Sequence, residues 1–227
     1  MQLPNETQRI VIVGRNGTGK TQAGVWHLSK QNWQVMPWIV FNWKRDKLIE
    51  AIPGAQFIDL ETLPQEPGVY IVTPTPDQGE QVDALLWAIW QQENIGVYVD
   101  EGYMLANGRQ YSPAYRAIQT QGRSKHIPTI TLSQRPVALD RFVFSETNFY
   151  QVFALNDKND RKRISEWIPD YDPNENLPKF HSWYYDVDNN ELAILQPVPK
   201  AREILKTFMP PEIVTEDPQP QNRLIYV

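Results

Sequence analysis

The residues Gly14-Arg15-Asn16-Gly17-Thr18-Gly19-Lys20-Thr21 are spaced as glycine, four residues, glycine, lysine and a hydroxyl. That order suits the binding of a nucleoside triphosphate. Glycines let the backbone curl so that successive N–H groups point at phosphate oxygens, and a helix starting at the loop adds its positive end. Lys20 is then the group that reaches the β- and γ-phosphates, and Thr21 offers its hydroxyl to Mg²⁺. Gly14, Arg15, Asn16, Gly17, Thr18, Gly19, Lys20 and Thr21 are the expected nucleotide-binding residues.

A second acidic element fits the same chemistry. Val97-Tyr98-Val99 is an apolar run that delivers Asp100 and Glu101 at its end. At the carboxyl edge of a sheet, Asp100 would hold Mg²⁺ directly or through water, and Glu101 would orient and deprotonate an attacking water. Two carboxylates in a surface turn are a common alternative. Further on, Thr129-Ile130-Thr131-Leu132 ends in Ser133-Gln134-Arg135-Pro136. If this strand neighbours the one before the phosphate loop, the Gln134 amide stands beside the γ-phosphate or the attacking water. Lys44-Arg45, after an earlier apolar run, is a weaker candidate for the same edge.

These elements need a scaffold that brings strand ends together, and the hydrophobic pattern supplies one. Short β-branched runs at Arg9–Val13, Trp38–Phe41, Gln56–Leu60, Val69–Val72, Gly96–Val99, Thr129–Leu132 and Tyr150–Ala154 read as strands. They alternate with helical segments over Lys20–Asn32, Asp46–Ala51, Asp77–Glu93, Pro113–Gln121 and Asp160–Trp167. Such alternation predicts a mainly parallel sheet flanked by helices. Asp186–Asn190 has turn chemistry between Trp183–Tyr185 and Leu192–Leu195, which predicts a β-hairpin; Ala201–Phe208 predicts a terminal helix. The expected organisation is a phosphate-loop α/β core over residues 1–170, with 171–227 forming a small appendage of hairpin, helix and Pro-rich tail packed on the core or on a neighbouring subunit.

Composition narrows the function classes. The 227 residues carry 22 Lys+Arg against 27 Asp+Glu, no cysteine and three histidines. Disulfides and thiolate chemistry are excluded, and His27, His126 and His181 are too far apart in sequence for a local metal cluster. No apolar run approaches the ~20 residues of a membrane span, and the first residues lack signal-peptide order. The chain reads as soluble and untargeted. The net charge of -5 argues against tight DNA binding by a single chain. The charge is segregated, however: no Lys or Arg occurs between Leu48 and Gly108, whereas Arg109, Arg116, Arg123, Lys125, Arg135 and Arg141 face only Asp140 in the next stretch. Trp33, Trp38 and Trp43 are expected to fill core and interfaces rather than to stack nucleic acid.

Taken together, Gly14–Thr21, Asp100-Glu101 and Ser133-Gln134-Arg135-Pro136 resemble the FtsK/HerA superfamily of ring-forming DNA-translocating ATPases. In size the chain is similar to the genome-packaging ATPases of tectivirus-type phages. The resemblance spans about Arg9 to Asn156. It implies ATP and Mg²⁺ as cofactors, and a homo-oligomeric ring, hexameric by family habit, with nucleotide at subunit boundaries. It also implies double-stranded DNA in the pore, capsid or portal-vertex proteins as partners, and a location in the host cytoplasm and at the packaging vertex of the virion. An arginine from one subunit is expected against the neighbour's γ-phosphate; Arg123 is the first choice by position, with Arg109, Arg116 and Arg135 as rivals. Two other readings of the same motifs are a small-molecule phosphotransferase and an assembly or secretion ATPase acting on protein.

Overall fold

The computed structural model describes residues 2–5, 7–107 and 110–209. Arg109 and the Pro-rich stretch Pro210–Asn222, both singled out above, lie outside the described residues.

Eleven strands are formed among the described residues, nine of them in one sheet. In chain order these nine are β1 (Arg9–Val13), β2 (Pro37–Asn42), β3 (Gln56–Phe57), β4 (Gly68–Val72), β5 (Gly96–Asp100), β8 (Thr129–Ser133), β9 (Phe149–Val152), β10 (Ser182–Asp186) and β11 (Glu191–Leu195); β6 (Ala106–Asn107) and β7 (Gln110–Tyr111) pair separately. The order across the sheet is β11-β10-β9-β1-β8-β5-β2-β4-β3. From β9 to β3 every pairing is parallel. Only the hairpin runs antiparallel, β10 against β9 and β11 against β10. The C-terminal hairpin thus continues the sheet along the edge of β9.

Every residue of β1, β2, β5, β8 and β9 is buried, which is why these strands read as continuous apolar runs rather than alternating ones: helices cover both faces. On one face Val11, Val13, Ile39 and Phe41 pack with Leu85, Leu86 and Ile89 of α3 (Gly79–Gln92) and with Tyr115 and Ile118 of α4 (Pro113–Gln121). The other face joins Ile10, Ile12, Trp38, Val40 and Leu132 to Leu28 of α1 (Lys20–Ser29), Ile49 of α2 (Lys47–Glu50) and Ile204 of the last helix, Ala201–Lys206. The tryptophans behave as filler. Trp38 is wholly buried, Trp33 packs on Phe208, and Trp43 is partly buried against the α3 side.

Helix ends follow local chemistry where caps exist. α4 begins directly after Ser112, whose hydroxyl accepts from the Tyr115 N–H, with Pro113 at its first position. Short elements absent from the hydrophobic pattern also appear: 3₁₀ turns over Gly102–Leu105 and Pro136–Ala138, a helix over Arg141–Ser145, and the β6–β7 pair. A buried chain of hydrogen bonds runs from His27 Nε2 to Gln151 Oε1 (2.9 Å) and from Gln151 Nε2 to Ser182 Oγ (2.9 Å), tying α1 to β9 and β10. Burial pushes the His27 imidazole down to about 4, so it is neutral.

Candidate active site

The position of β8 decides the site. It lies between β1 and β5, so the phosphate loop after β1, the Gln134 segment after β8 and the acid pair ending β5 emerge side by side at the carboxyl edge.

The loop is anchored to both neighbours of β1. Gly14 N–H donates to Ser133 carbonyl (3.2 Å) and Arg15 N–H to Ala154 carbonyl (3.0 Å). Inside the loop the Thr18 hydroxyl donates to the Arg15 carbonyl at 2.8 Å. Gly17 and Gly19 have φ of 75° and 96°, the left-handed region that L side chains rarely enter. Gly14 is required for a different reason: a β-carbon there would stand 2.6 Å from Phe153 Cβ. Lys20, Ala23 and Gly24 are buried in the first turns of α1, while Thr21 is partly exposed toward the edge.

Glu101 is completely buried and is the hub of the edge. Its Oε1 accepts from Lys20 Nζ (3.1 Å), Lys44 Nζ (2.5 Å) and Gln134 Nε2 (2.6 Å), and its Oε2 from the Gln134 backbone N–H (3.1 Å). Its φ of 68° turns the backbone sharply out of β5 into the Gly102–Leu105 turn, a conformation that costs of order 1–3 kcal/mol. The hydrogen bonds on its side chain hold it there. Lys44, the weaker candidate in the sequence, is thus in direct contact with the expected base. Asn42 pairs with Asp100 across β2 and β5, and its Oδ1 accepts from Asp46 N–H at 2.8 Å, which folds Trp43–Arg45 into a tight loop aimed at Glu101.

Asp100 contrasts with its neighbour. It is 1% exposed, and neither carboxylate oxygen has a hydrogen-bond partner. Burial raises its carboxyl to about 6, with Lys20 and Lys44 opposing and Glu101 adding to the rise. Two buried, unpartnered oxygens at the end of β5, with a threonine hydroxyl at the start of α1, are a donor set suited to a hard divalent cation and its waters.

Arg123 stands elsewhere. It follows α4 and precedes β8, at the amino edge of the sheet, exposed, and close enough to Arg9 for its charge to be felt there. The five residues of β8 separate the two edges by roughly 16 Å, so Arg123 does not reach the phosphate loop of its own chain. Of its rivals, Arg116 pairs with Asp140 (2.5 Å) and Arg135 with Asp160 (3.3 Å). Arg135 also lines a groove with Arg15, Asn16, Gln134 and Asn156 beside the loop. A separate cavity of about 290 Å³ lies near Trp43, Glu80, Asp83, Met104 and Tyr111, and no phosphate-loop residue lines it.

The chain is 48% identical over 218 residues to the DNA packaging ATPase P9 of Enterobacteria phage PRD1, covering 92% of this chain and 95% of that protein. It belongs to that family of DNA-packaging ATPases. Solved structures show the same fold: the genome packaging NTPase B204 of Sulfolobus turreted icosahedral virus 2, in complex with AMPPCP, matches with a TM-score of 0.67 at 20% identity over 86% of this chain and 100% of that one. ATPases 2 and 3 of EccC from Thermomonospora curvata, in complex with a signal sequence peptide, match at 0.58 and 12% identity over 92% of this chain and 42% of that one. No family model matches the chain. As a packaging ATPase the chain has ATP as its substrate, and the loop from Gly14 to Thr21 has the geometry to receive it. Among the described residues no helix is long and apolar enough to cross a membrane.

Proposed function

We propose that the chain is an ATP-driven motor that moves double-stranded DNA into a preformed viral capsid, acting as a homo-oligomeric ring, expected to be hexameric, at the packaging vertex in the host cytoplasm. The observation that carries the catalytic part is the convergence of Lys20, Lys44 and Gln134 on the buried Glu101 beside the phosphate loop.

Asp100 and Thr21 would hold Mg²⁺, which would supply charge neutralisation on the phosphates. The residues of the chain do the rest. Lys20 exchanges its contact with Glu101 for the β- and γ-phosphate oxygens, since a phosphate cluster attracts an ammonium more strongly than one carboxylate does. Glu101, relieved of one donor, takes the proton of the attacking water. Gln134 bonds Glu101 through both its backbone and its amide, so a change at the γ-phosphate is transmitted to β8 and the base together. An arginine is expected to complete the site from a neighbouring subunit, and Arg123, just before β8, is the choice for that role: it is exposed and out of reach of its own loop.

Hydrolysis is therefore expected to rise with protein concentration and with added duplex DNA. A demonstrable monomer that hydrolyses ATP at full rate, indifferent to DNA, would overturn this reading. The variant Glu101→Gln, which should hold ATP without cleaving it, is expected to be imaged as a ring around duplex.

A further inference from the structure

We propose that Phe180 is the platform on which the base of the bound nucleotide stacks, an inference that rests on the nucleotide-binding role of Gly14–Thr21 given above. Phe180 lies in the segment leading into β10. It is a large aromatic left 43% exposed, and its φ of 67° is left-handed. The left-handed backbone costs stability, and such strain clusters where it serves a site.

Its location says which site. The ring closes over Gly19, the residue before Lys20, with Cδ1 3.3 Å from where a β-carbon on Gly19 would stand. Glu101 and Gln134 flank the loop from the β5 and β8 side, whereas Phe180 approaches from the β9 and β10 side. A triphosphate whose terminal phosphate faces Glu101 must lead its sugar and base away from β8. That direction is toward Phe180.

The surroundings fix the ring in place. Lys179 holds its ammonium 4.8 Å from the ring centroid. His181 bonds the Lys179 carbonyl through Nδ1 (3.3 Å) and the Gln196 side chain through Nε2 (3.1 Å), pinning the turn to β11's end. On the adjoining side, Gln22 Nε2 donates to the Pro199 carbonyl at 2.7 Å, closing α1 against the last connection. Stacking on a phenyl face is tolerant of base identity, so the ring is expected to favour purine triphosphates over bare phosphates without strongly separating adenine from guanine.

The test compares two ligands on the full chain in Mg²⁺: a non-hydrolysable ATP analogue and inorganic tripolyphosphate, each titrated calorimetrically. Phe180→Ala is expected to weaken the analogue about tenfold and to leave tripolyphosphate within about twofold; Phe180→Trp should restore the analogue. Equal weakening of both ligands would make Phe180 a support for the loop, and unchanged binding of both would remove the ring from the site; either result overturns the proposal. If the unsubstituted chain bound neither ligand, the phosphate-loop reading itself would fall, and the base platform with it.

Discussion

The two ends of the β1–β8 pair carry charge in opposite ways. At the carboxyl end the charges are of both signs and mostly satisfied: Glu101 receives two ammonium groups and two amide donors. At the amino end two arginines, Arg9 and Arg123, stand close enough to repel each other. Arg9, 5% exposed, donates one guanidinium N–H to the Glu146 carbonyl at 3.0 Å, while its Nε and Nη2 have no partner. Burial lowers its affinity for the proton, and nearby Arg123 lowers it further although Glu146 opposes. One edge gathers the phosphate loop, Glu101 and Gln134, and its own nearby arginines are Arg15 and the Asp160-paired Arg135. The other is an arginine edge short of acceptors. Head-to-tail packing of copies, as in a ring, would join such edges.

The largest effect is expected from breaking that join. Arg123→Ala should lower hydrolysis by roughly 10³-fold at saturating protein, the scale of an arginine supplied in trans. Arg135→Ala, beside its own loop and paired with Asp160, should lower it far less. Mixing Arg123→Ala with Glu101→Gln, each inactive alone, sharpens the comparison. About a quarter of the boundaries in a random mixed ring pair an intact base with an intact finger, so phosphate release should return. A mixture that stays inactive, or an active Arg123→Ala ring, would remove Arg123 from the role.

A second effect tests the difference within the carboxyl edge, between satisfied Glu101 and orphaned Asp100. The Asp100 carboxyl titrates near 6 in the fold against 3.8 for the free group. A raised carboxylate means that the folded state resists ionisation. Its penalty is absent below the unfolded value, grows as pH rises through that interval, and is complete above 6, where it reaches about 3 kcal/mol. Asp100→Asn removes the charge but leaves an unpartnered amide, so a net gain of about 1–2 kcal/mol is expected, or roughly 3–6 °C in melting temperature. The gain should be present at pH 7–8 without nucleotide or divalent cation and fade toward pH 4. Mg²⁺ with an ATP analogue should reverse the ranking, stabilising the unsubstituted chain alone. A variant that melts below the parent at pH 8 would show that Asp100 has a partner that offsets its burial.

What the sequence foretold depends on how local the cause is. Ser112 and Pro113 mark the start of α4 to the residue, and the apolar runs mark the central strands, because cap chemistry and burial on both faces act within a few residues. The Gly102–Leu105 turn and the β6–β7 pair are held to each other by the Tyr111 hydroxyl donating to the Gly102 carbonyl at 2.8 Å, and to the rest of the fold by burial against the α3 face, and no periodicity announces them. Gln134 was legible on one condition, that β8 lies beside β1, and the sheet meets it. The grip of Lys44 on Glu101 was not, since it depends on the register of β2 with β5, across fifty-seven residues of chain. Nor was the approach of Phe180 to Gly19, which depends on the hairpin joining the sheet through β9.

Lys44 supplies the smallest and most discriminating test at this edge. A carboxylate oxygen has two lone pairs, and Oε1 of Glu101 is shared by three donors. When Lys20 turns to bound phosphates, Lys44 and Gln134 still fill Oε1, and the attacking water is left the one free position on Oε2, beside the Gln134 N–H. Lys44→Met opens one position on Oε1 while keeping the length of the side chain. Because Lys44 is 40% exposed, its hold is worth no more than about 1 kcal/mol. Hydrolysis without DNA should therefore rise about two- to fivefold, and stimulation by duplex should shrink by a similar factor if DNA acts partly by drawing Lys44 away. A fall in the DNA-free rate would mean the reverse, that Lys44 positions Glu101 for the water rather than restraining it.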